Sequence, residues 1–176
     1  MAVFKGDGFV ADGWRYLAAG ESVPPLGMVI LNPAQWQELG VVMNGTDVPL
    51  GLYVEPGQDV QNILPDLRRF ALIVIAFAKF TDGRGYSLAR QFRSHHGFAG
   101  ELRASGDILF DQLQLLARCG FDSFDITNAA TLRLLEAGRR PWLDMFYQPG
   151  LGPEMPENTR AWARRAMACA LKQPDP

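Results

Sequence analysis

The sequence predicts an α/β fold of alternating strands and helices around a short parallel sheet, half-barrel-like (TIM-like) or small and open, with an N-terminal hairpin and a C-terminal helix. From Val48 to Gly138, four strand-like segments alternate with four helix-like segments over short loops, which is typical of right-handed βαβ crossovers. The stretch "ALIVIAFA" (71–78) is a continuous apolar run, as in a strand buried on both faces. Four such units are too few for an eight-stranded barrel within one chain.

The chain length suits a single domain, residues 1–176, with an N-terminal segment (1–47), a β/α core (48–138) and an irregular tail (139–176). In the N-terminal segment, short apolar pieces are broken by Gly, Asp and a Pro-Pro pair, which predicts a hairpin or small strands before the main fold. Asn32 as N-cap and Pro33 at the first helical position predict a short helix over 33–39. Asn44-Gly45 predicts a turn after it.

The core follows in regular order. Strands are predicted over 48–54, 71–78, 100–105 and 121–126, and helices over 59–70, 85–95, 107–120 and 128–138. Pro65 interrupts the first of these helices, so that helix is expected to be short or kinked. Gly120 and Gly138 end the last two. In the tail, the sequence predicts a last helix over 159–172, whose narrow apolar stripe would dock on the domain or on a second chain.

Composition restricts the class of protein. The net charge of -2 and the scattered Lys and Arg residues exclude a nucleic-acid partner. The longest apolar run is too short to cross a bilayer and the N-terminus does not resemble a signal peptide, so we expect a cytoplasmic protein without a membrane partner. Cys119 and Cys169 lie far apart and outside any His/Cys cluster, so no metal or iron–sulfur site is expected. Cys119 is expected to be a buried, inert thiol.

Ligands of parallel α/β folds gather at the carboxyl ends of the strands, and this rule selects the candidate site residues. The candidates for catalysis are Lys79, Glu101 and Asp107. The candidates for binding a small anion are Asp82, Gly83, Arg84, Gly85, Ser87 and Arg103. Trp14 and Tyr16 fall outside the β/α core and are expected to cover a sheet edge.

The "DGRG" stretch (82–85) has two interpretations, and both stay open. In the first, its glycines permit positive φ and a close approach of ligand to backbone. The helix that begins after Gly85 then supplies N–H donors, and Arg84 supplies a bidentate fork for sulfate, sulfite, phosphate or carboxylate. In the second, Asp82 caps the helix and the glycines only shape the turn. The stretch matches neither a Walker nor a Rossmann pattern.

The "GELRASGD" stretch (100–107) places two opposite charges on one face of a strand. Glu101 and Arg103 are two residues apart, so we expect both to point to the concave face, away from the helices. Lys79 and Asp125 are expected to join them. The cluster is either a structural ion pair or a ligand site. Asp107 favours the start of the next helix and is also a candidate proton acceptor.

Several motifs in order carry a resemblance to a known family. They are D-G-R-G-aromatic-S-x-A-R at Asp82–Arg90, GELRA-x-GD at Gly100–Asp107, DQ at Asp111–Gln112 and R-x-GFD-x-F at Arg118–Phe124. With these motifs the chain resembles, over residues 9–137, the bacterial family catalogued as domain of unknown function 934. The polar motif members are candidates by this resemblance: Asp82, Arg84, Ser87, Arg90, Glu101, Arg103, Asp107, Asp111 and Gln112. Ser105 holds the variable position of its block.

The resemblance implies a role in sulfur metabolism, because family members are encoded beside sulfite reductase and are labelled as oxidoreductases of sulfite reduction. One hypothesis is an anion-binding accessory protein or enzyme of assimilatory sulfite reduction. The other is a non-catalytic binding or assembly partner of sulfite reductase or its electron donor. No cofactor motif is present, and a flavin bound without a recognisable fingerprint stays open. A homodimer is a further expectation, because an incomplete sheet leaves an edge to cover.

Overall fold

The computed structural model describes residues 2–43 and 48–142. The strands are β1 (Ala2–Lys5), β2 (Gly8–Ala11), β3 (Trp14–Tyr16), β4 (Met28–Leu31), β5 (Leu50–Val54), β6 (Phe70–Phe77), β7 (Glu101–Gly106) and β8 (Ser123–Ile126). The helices are α1 (Pro33–Met43), α2 (Arg84–Arg90), α3 (Gln112–Arg118) and α4 (Ala129–Glu136). A 3-10 helix (Gln61–Arg69) precedes β6, and a π-helical turn (Gln91–His95) continues α2. None of the described helices is both long and apolar enough to span a membrane.

The strands form an eight-stranded sheet in the order β2-β1-β8-β7-β6-β5-β4-β3. Strands β3 to β8 are parallel and each pairs with its neighbour in sequence, so right-handed crossovers place the helices on one face. The β1–β2 hairpin adds antiparallel to β8. The predicted α/β fold is therefore confirmed as a curled, half-barrel-like sheet. The predicted N-terminal hairpin is confirmed as β1–β2, whereas β3 and β4 extend the parallel sheet instead of preceding it.

The two ends of this sheet are joined by a very short piece of chain. Strands β2 and β3 are the outermost strands, yet only Asp12 and Gly13 separate them. Three peptide steps span at most ~11 Å, so Ala11 and Trp14 cannot be farther apart than that. The segment 8–16 thus pairs with β1 through its first half and with β4 through its second half. This arrangement requires a strongly curled sheet.

The two faces of the sheet have different surroundings. The convex face packs against the helices and forms the main hydrophobic core, whose members include Leu31, Leu52, Ile75, Phe92, Leu113 and Leu116. The concave face carries a smaller apolar cluster of Ile30, Leu72 and Val74, against which Trp14 and Tyr53 pack. The remainder of the concave face is polar, and it is the part of the fold that bears on function.

Local chemistry explains where α1 and α3 begin. Asn32 and Gln35 form a reciprocal capping box at the start of α1, in which each side-chain oxygen accepts a hydrogen bond of 2.9 Å from the other residue's amide. Pro65 lies within the 3-10 helix, in agreement with the predicted short or kinked helix. Helix α3 begins at Gln112 rather than at residue 107, because the side chain of Gln112 accepts a hydrogen bond from the Leu109 amide and stabilises a turn there.

Three features named in the sequence analysis belong to parts of the chain that the structure does not describe. The Asn44-Gly45 turn, Cys169 and the helix over 159–172 lie outside the described residues. Cys119 is a buried free thiol, as predicted. Burial raises its pKa, which disfavours the thiolate form.

Candidate functional site

The rim loop, residues 78–83, connects the carboxyl end of β6 to α2. The two carboxylate oxygens of Asp82 accept hydrogen bonds from Nε and Nη2 of Arg84, at 2.9 and 2.7 Å. These bonds, together with the bond from the Arg84 amide, lower the pKa of Asp82 to about 2. The Arg84 side chain is 67% exposed, and its Nη1 lies 2.8 Å from where a Cβ on Gly57 would be. Arg84 therefore spans the loops that follow β5 and β6 while facing solvent.

Neither glycine of the DGRG stretch uses the positive φ that glycine permits. Gly83 has a φ of −73°, and no atom lies within 4 Å of the place where its Cβ would be. Gly85 lies within α2, and its Cβ would be 2.5 Å from Cζ of Phe77. The chain enters α2 with helical dihedral angles at Gly83, and Gly85 is needed for packing. Ser87 is exposed on the same helix.

The concave face of the sheet carries a group of polar side chains. We call this set the polar face; it consists of Lys5, Asp12, Glu101, Arg103, Ser105, Ser123 and Asp125. Arg103 is only 5% exposed, and it binds Glu101 and Asp12 at 2.9 Å each. Its Nε also donates to the hydroxyl of Ser123 at 3.3 Å. As the strand alternation predicts, Glu101 and Arg103 thus share one face.

Glu101 is stabilised in its ionised form. Burial opposes ionisation, but hydrogen bonds from Lys5, Ser123 and Arg103 outweigh it and lower the pKa of Glu101 to about 2. The bonds from Lys5 Nζ and Ser123 Oγ are both 2.6 Å long. A carboxylate with this pKa does not take up a proton near neutral pH, which argues against Glu101 as a general base.

The polar face does not contain Lys79, which the sequence analysis had placed beside Glu101. Strand β6 ends at Phe77, so Lys79 lies exposed in the rim loop. Asp125 does belong to the polar face, and it accepts a hydrogen bond of 2.9 Å from Ser105. The structure therefore separates the predicted residues into an exposed rim group and a buried concave group.

Four side chains meet at the carboxyl end of the concave face, and we call them the mouth: Tyr16, Tyr53, Ser105 and Asp125. Tyr16 ends β3, and its side chain lies close to Ser105 on β7 and to Asp125 on β8. These strands are four positions apart, which is roughly 19 Å in a flat sheet, so the curl of the sheet makes this contact. Burial raises the pKa of Tyr16, and the charge of Asp125 raises it further.

Asp107 and Gln112 hold the rim loops in place. Asp107 accepts a hydrogen bond of 3.0 Å from the side chain of Asn128, whose oxygen caps α4. Gln112 donates to the carbonyl of Phe80 at 2.8 Å and so ties the loop after β7 to the rim loop. Asp111 precedes α3 without a capping bond from its side chain. Within residues 2–43 and 48–142, no group of three or more His, Cys, Asp or Glu is placed to hold a metal ion.

The R-x-GFD-x-F stretch (118–124) supplies two binding partners for Arg93, a residue that the sequence analysis did not select. Its guanidinium donates to the carbonyls of Phe98, Gly100 and Gly120 and forms an ion pair with Asp122. These partners precede β7 and β8, at the pole opposite the rim. The carboxylate of Asp122 also accepts a hydrogen bond from the Leu102 amide. This stretch therefore serves the packing of the sheet rather than a ligand.

Comparison with known families identifies the family of this chain. The family model described as bacterial protein of unknown function (DUF934) matches residues 51–157. The chain belongs to this family. The DUF934 match begins after the opening stretch that the resemblance included, and it ends beyond Gly138, where little resemblance was expected. It contains the rim loop and the polar residues of β7 and β8, whereas Lys5, Asp12 and Tyr16 precede it. Comparison with curated proteins gave no significant match, and neither did comparison with solved structures.

Proposed function

We propose that this member of the DUF934 family binds a small oxyanion, such as sulfite, at the carboxyl-end rim and serves assimilatory sulfite reduction in the cytoplasm as an accessory protein or enzyme. The observation that carries the proposal is the exposed fork of Arg84. This fork already holds a two-oxygen anionic group, the Asp82 carboxylate, through two parallel hydrogen bonds. Sulfite, sulfate and phosphate present oxygen pairs to the same geometry.

The internal partner of Arg84 is exchangeable. Both side chains are in contact with solvent, where water and salt weaken an ion pair, so a ligand oxyanion replaces Asp82 without exposing a buried charge. Lys79 places a second exposed cation in the rim loop, which leads to Arg84. The proposal assigns binding to these residues, and it leaves the supply of electrons to a donor protein or cofactor. The link to sulfite comes from the resemblance to the family.

A thermal-shift titration with sulfite, sulfate and phosphate tests the site. A ligand at ten times its Kd stabilises the folded state by about 1.4 kcal/mol, which raises Tm by about 3–6 °C for a chain of this length. Arg84→Gln is expected to abolish this rise. Arg133→Gln, on the exposed side of α4, is the matched control and should retain it. A wild-type protein that shows no shift with any of the three anions would contradict the proposal.

A second candidate function is a non-catalytic partner of sulfite reductase or its electron donor. Phe80 favours it, because this side chain is 43% exposed in the rim loop between Lys79 and Arg84. Exposed aromatic and arginine side chains are enriched in protein interfaces. Phe80→Ser should weaken binding to purified sulfite reductase or its donor and leave the sulfite shift intact. Leu134→Ser, an equally exposed apolar position on α4, is the control. No binding to either purified protein would sink this candidate.

A further inference from the structure

The mouth combines two tyrosine rings with a buried carboxyl group. Tyr16 and Tyr53 are arranged edge to face, with their ring centroids 5.6 Å apart and their planes at 80°. Asp125 lies deeper and is only 8% exposed, whereas Tyr16 is 48% exposed. Three different strands of the parallel sheet, β3, β5 and β8, supply these side chains near their carboxyl ends. The mouth therefore combines one exposed ring, one half-buried ring and one buried carboxyl group.

Charge is unevenly compensated on the polar face. Arg103 binds the carboxylates of Asp12 and Glu101, and Lys5 binds Glu101 as well. Asp125 instead accepts a hydrogen bond from the neutral hydroxyl of Ser105. The two cations of the polar face, Lys5 and Arg103, thus pair with Glu101 and Asp12 rather than with Asp125. A buried carboxylate without a cation is costly, and a positive ligand beside it removes that cost.

We propose that the mouth is a binding site for an organic ammonium group, with its charge toward Asp125 and its N–H or N-methyl groups against the rings of Tyr16 and Tyr53. Tyrosine faces attract cations through the ring quadrupole, and perpendicular rings contact two sides of a rounded ammonium group. Ser105 keeps the Asp125 carboxyl group oriented through its hydrogen bond.

Other ligand classes fit the mouth less well. One carboxyl group with a serine and phenol oxygens is a poor donor set for a divalent cation, which takes six or more oxygens in the case of calcium. An anion is disfavoured by the adjacent Asp125 carboxyl group. The mouth therefore selects a positive charge, whereas the rim loop is proposed to select a negative one. The two sites use different residues, so each proposal can fail without the other.

The site is tested by titrating the protein with tetramethylammonium chloride and with ethylammonium chloride. Calorimetry or proton NMR of the probe measures the binding. Sodium chloride at equal ionic strength controls for salt. Asp125→Asn preserves the shape of the side chain and is expected to raise the Kd of both probes at least roughly tenfold. Tyr53→Leu is expected to raise it roughly fivefold through loss of a cation–π contact. Glu136→Gln, an exposed acid on α4, should bind both probes as the wild type does.

Three results would overturn the proposal. The first is that the wild-type protein binds neither ammonium salt at concentrations up to ~50 mM, which corresponds to less than ~2 kcal/mol of affinity. The second is an unchanged affinity in a folded Asp125→Asn variant, and the third is an equal affinity of the Tyr53→Phe and Tyr53→Leu variants. The last comparison does not depend on the folding of the aspartate variant. Tyr53→Phe keeps the ring and should retain binding, whereas Tyr53→Leu removes it.

Discussion

Glu101 accepts hydrogen bonds from three side chains on three different strands. Lys5 reaches it from β1, Ser123 from β8, and Arg103 from its own strand. Such a buried network is stable only while every member is paired, because removal of one partner leaves a charge in a poorly solvated place. The concave face is therefore sensitive to single substitutions that change charge but not size.

Glu101→Gln should lower the free energy of unfolding by about 2–3 kcal/mol at pH 7. The folded-state pKa of about 2 lies below the ordinary value of 4.5, so ionised Glu101 stabilises the protein above pH 4.5. This stabilisation is lost as the pH falls from 4.5 toward 2. Urea unfolding measures the difference in free energy of unfolding between wild type and variant. This difference should be less than half as large at pH 3 as at pH 7. Glu136→Gln is the control, and an equal difference at both pH values would contradict the assignment.

Only some contacts between individual residues of the site could be predicted from the sequence. The shared face of Glu101 and Arg103 follows from the two-residue period of a strand, and it is observed. Asp12 and Tyr16 were missed because their distance from Arg103 and Ser105 depends on the curl of the whole sheet. Their approach is a long-range effect that no local spacing encodes.

At the scale of elements, the connection from β6 to α2 shows how a glycine-rich turn can serve packing. Gly85 lets the first turn of α2 lie on the ring of Phe77, whereas the space around Gly83 is open. Phe77 also packs edge to face against Tyr86 and Phe121, so the ring cannot move freely. The two glycines therefore differ in their tolerance of a side chain.

Gly85→Ala should destabilise the protein by about 1–3 kcal/mol, because the new methyl group overlaps the Phe77 ring. Gly83→Ala, two residues earlier, should be neutral or slightly stabilising, since its φ of −73° suits alanine. Thermal or urea unfolding of both variants measures the contrast. Equal destabilisation of the two would show that the backbone, and not the ring, demands glycine here.

Elements with a strong local signal were predicted from the sequence, and the shortest ones were not placed correctly. Strand β6 is an eight-residue apolar run and was identified within one residue at each end. Strand β3 has three residues, and no helix intervenes before β4. Its place in the parallel sheet depends on pairing with β4, so the sequence pattern alone predicted a hairpin or small strands outside the main sheet.

For the whole molecule, the curl of the sheet depends on contacts between its ends and its middle. Asp12 lies in the link between β2 and β3, and it binds Arg103 on β7. This ion pair is almost completely buried and crosses the concave face. It therefore holds the joined ends of the sheet against the central strands.

Asp12→Ala should loosen the ends of the sheet before the rest of the molecule. Amide exchange in residues 8–16 is expected to accelerate at least roughly tenfold, which corresponds to ~1.4 kcal/mol, at the lower end for a hydrogen bond to a charged group. Exchange in β6 should change less. Hydrogen exchange with mass spectrometry measures both, with Glu38→Ala on the exposed side of α1 as the control. Exchange in 8–16 equal to that of the wild type would show that Arg103 does not hold the link.

The pairing of β1 with β8 has a consequence for synthesis of the chain. Phe4 lies opposite Phe124, so the hairpin at the start of the chain needs a strand made 120 residues later. Ribosomes that add about 5–20 residues per second leave the hairpin without this partner for roughly 6–24 s. A two-stranded hairpin alone is marginally stable in water. Strands β1 and β2 are thus translated before the other strands of this sheet, and we expect them to be among the last to join it.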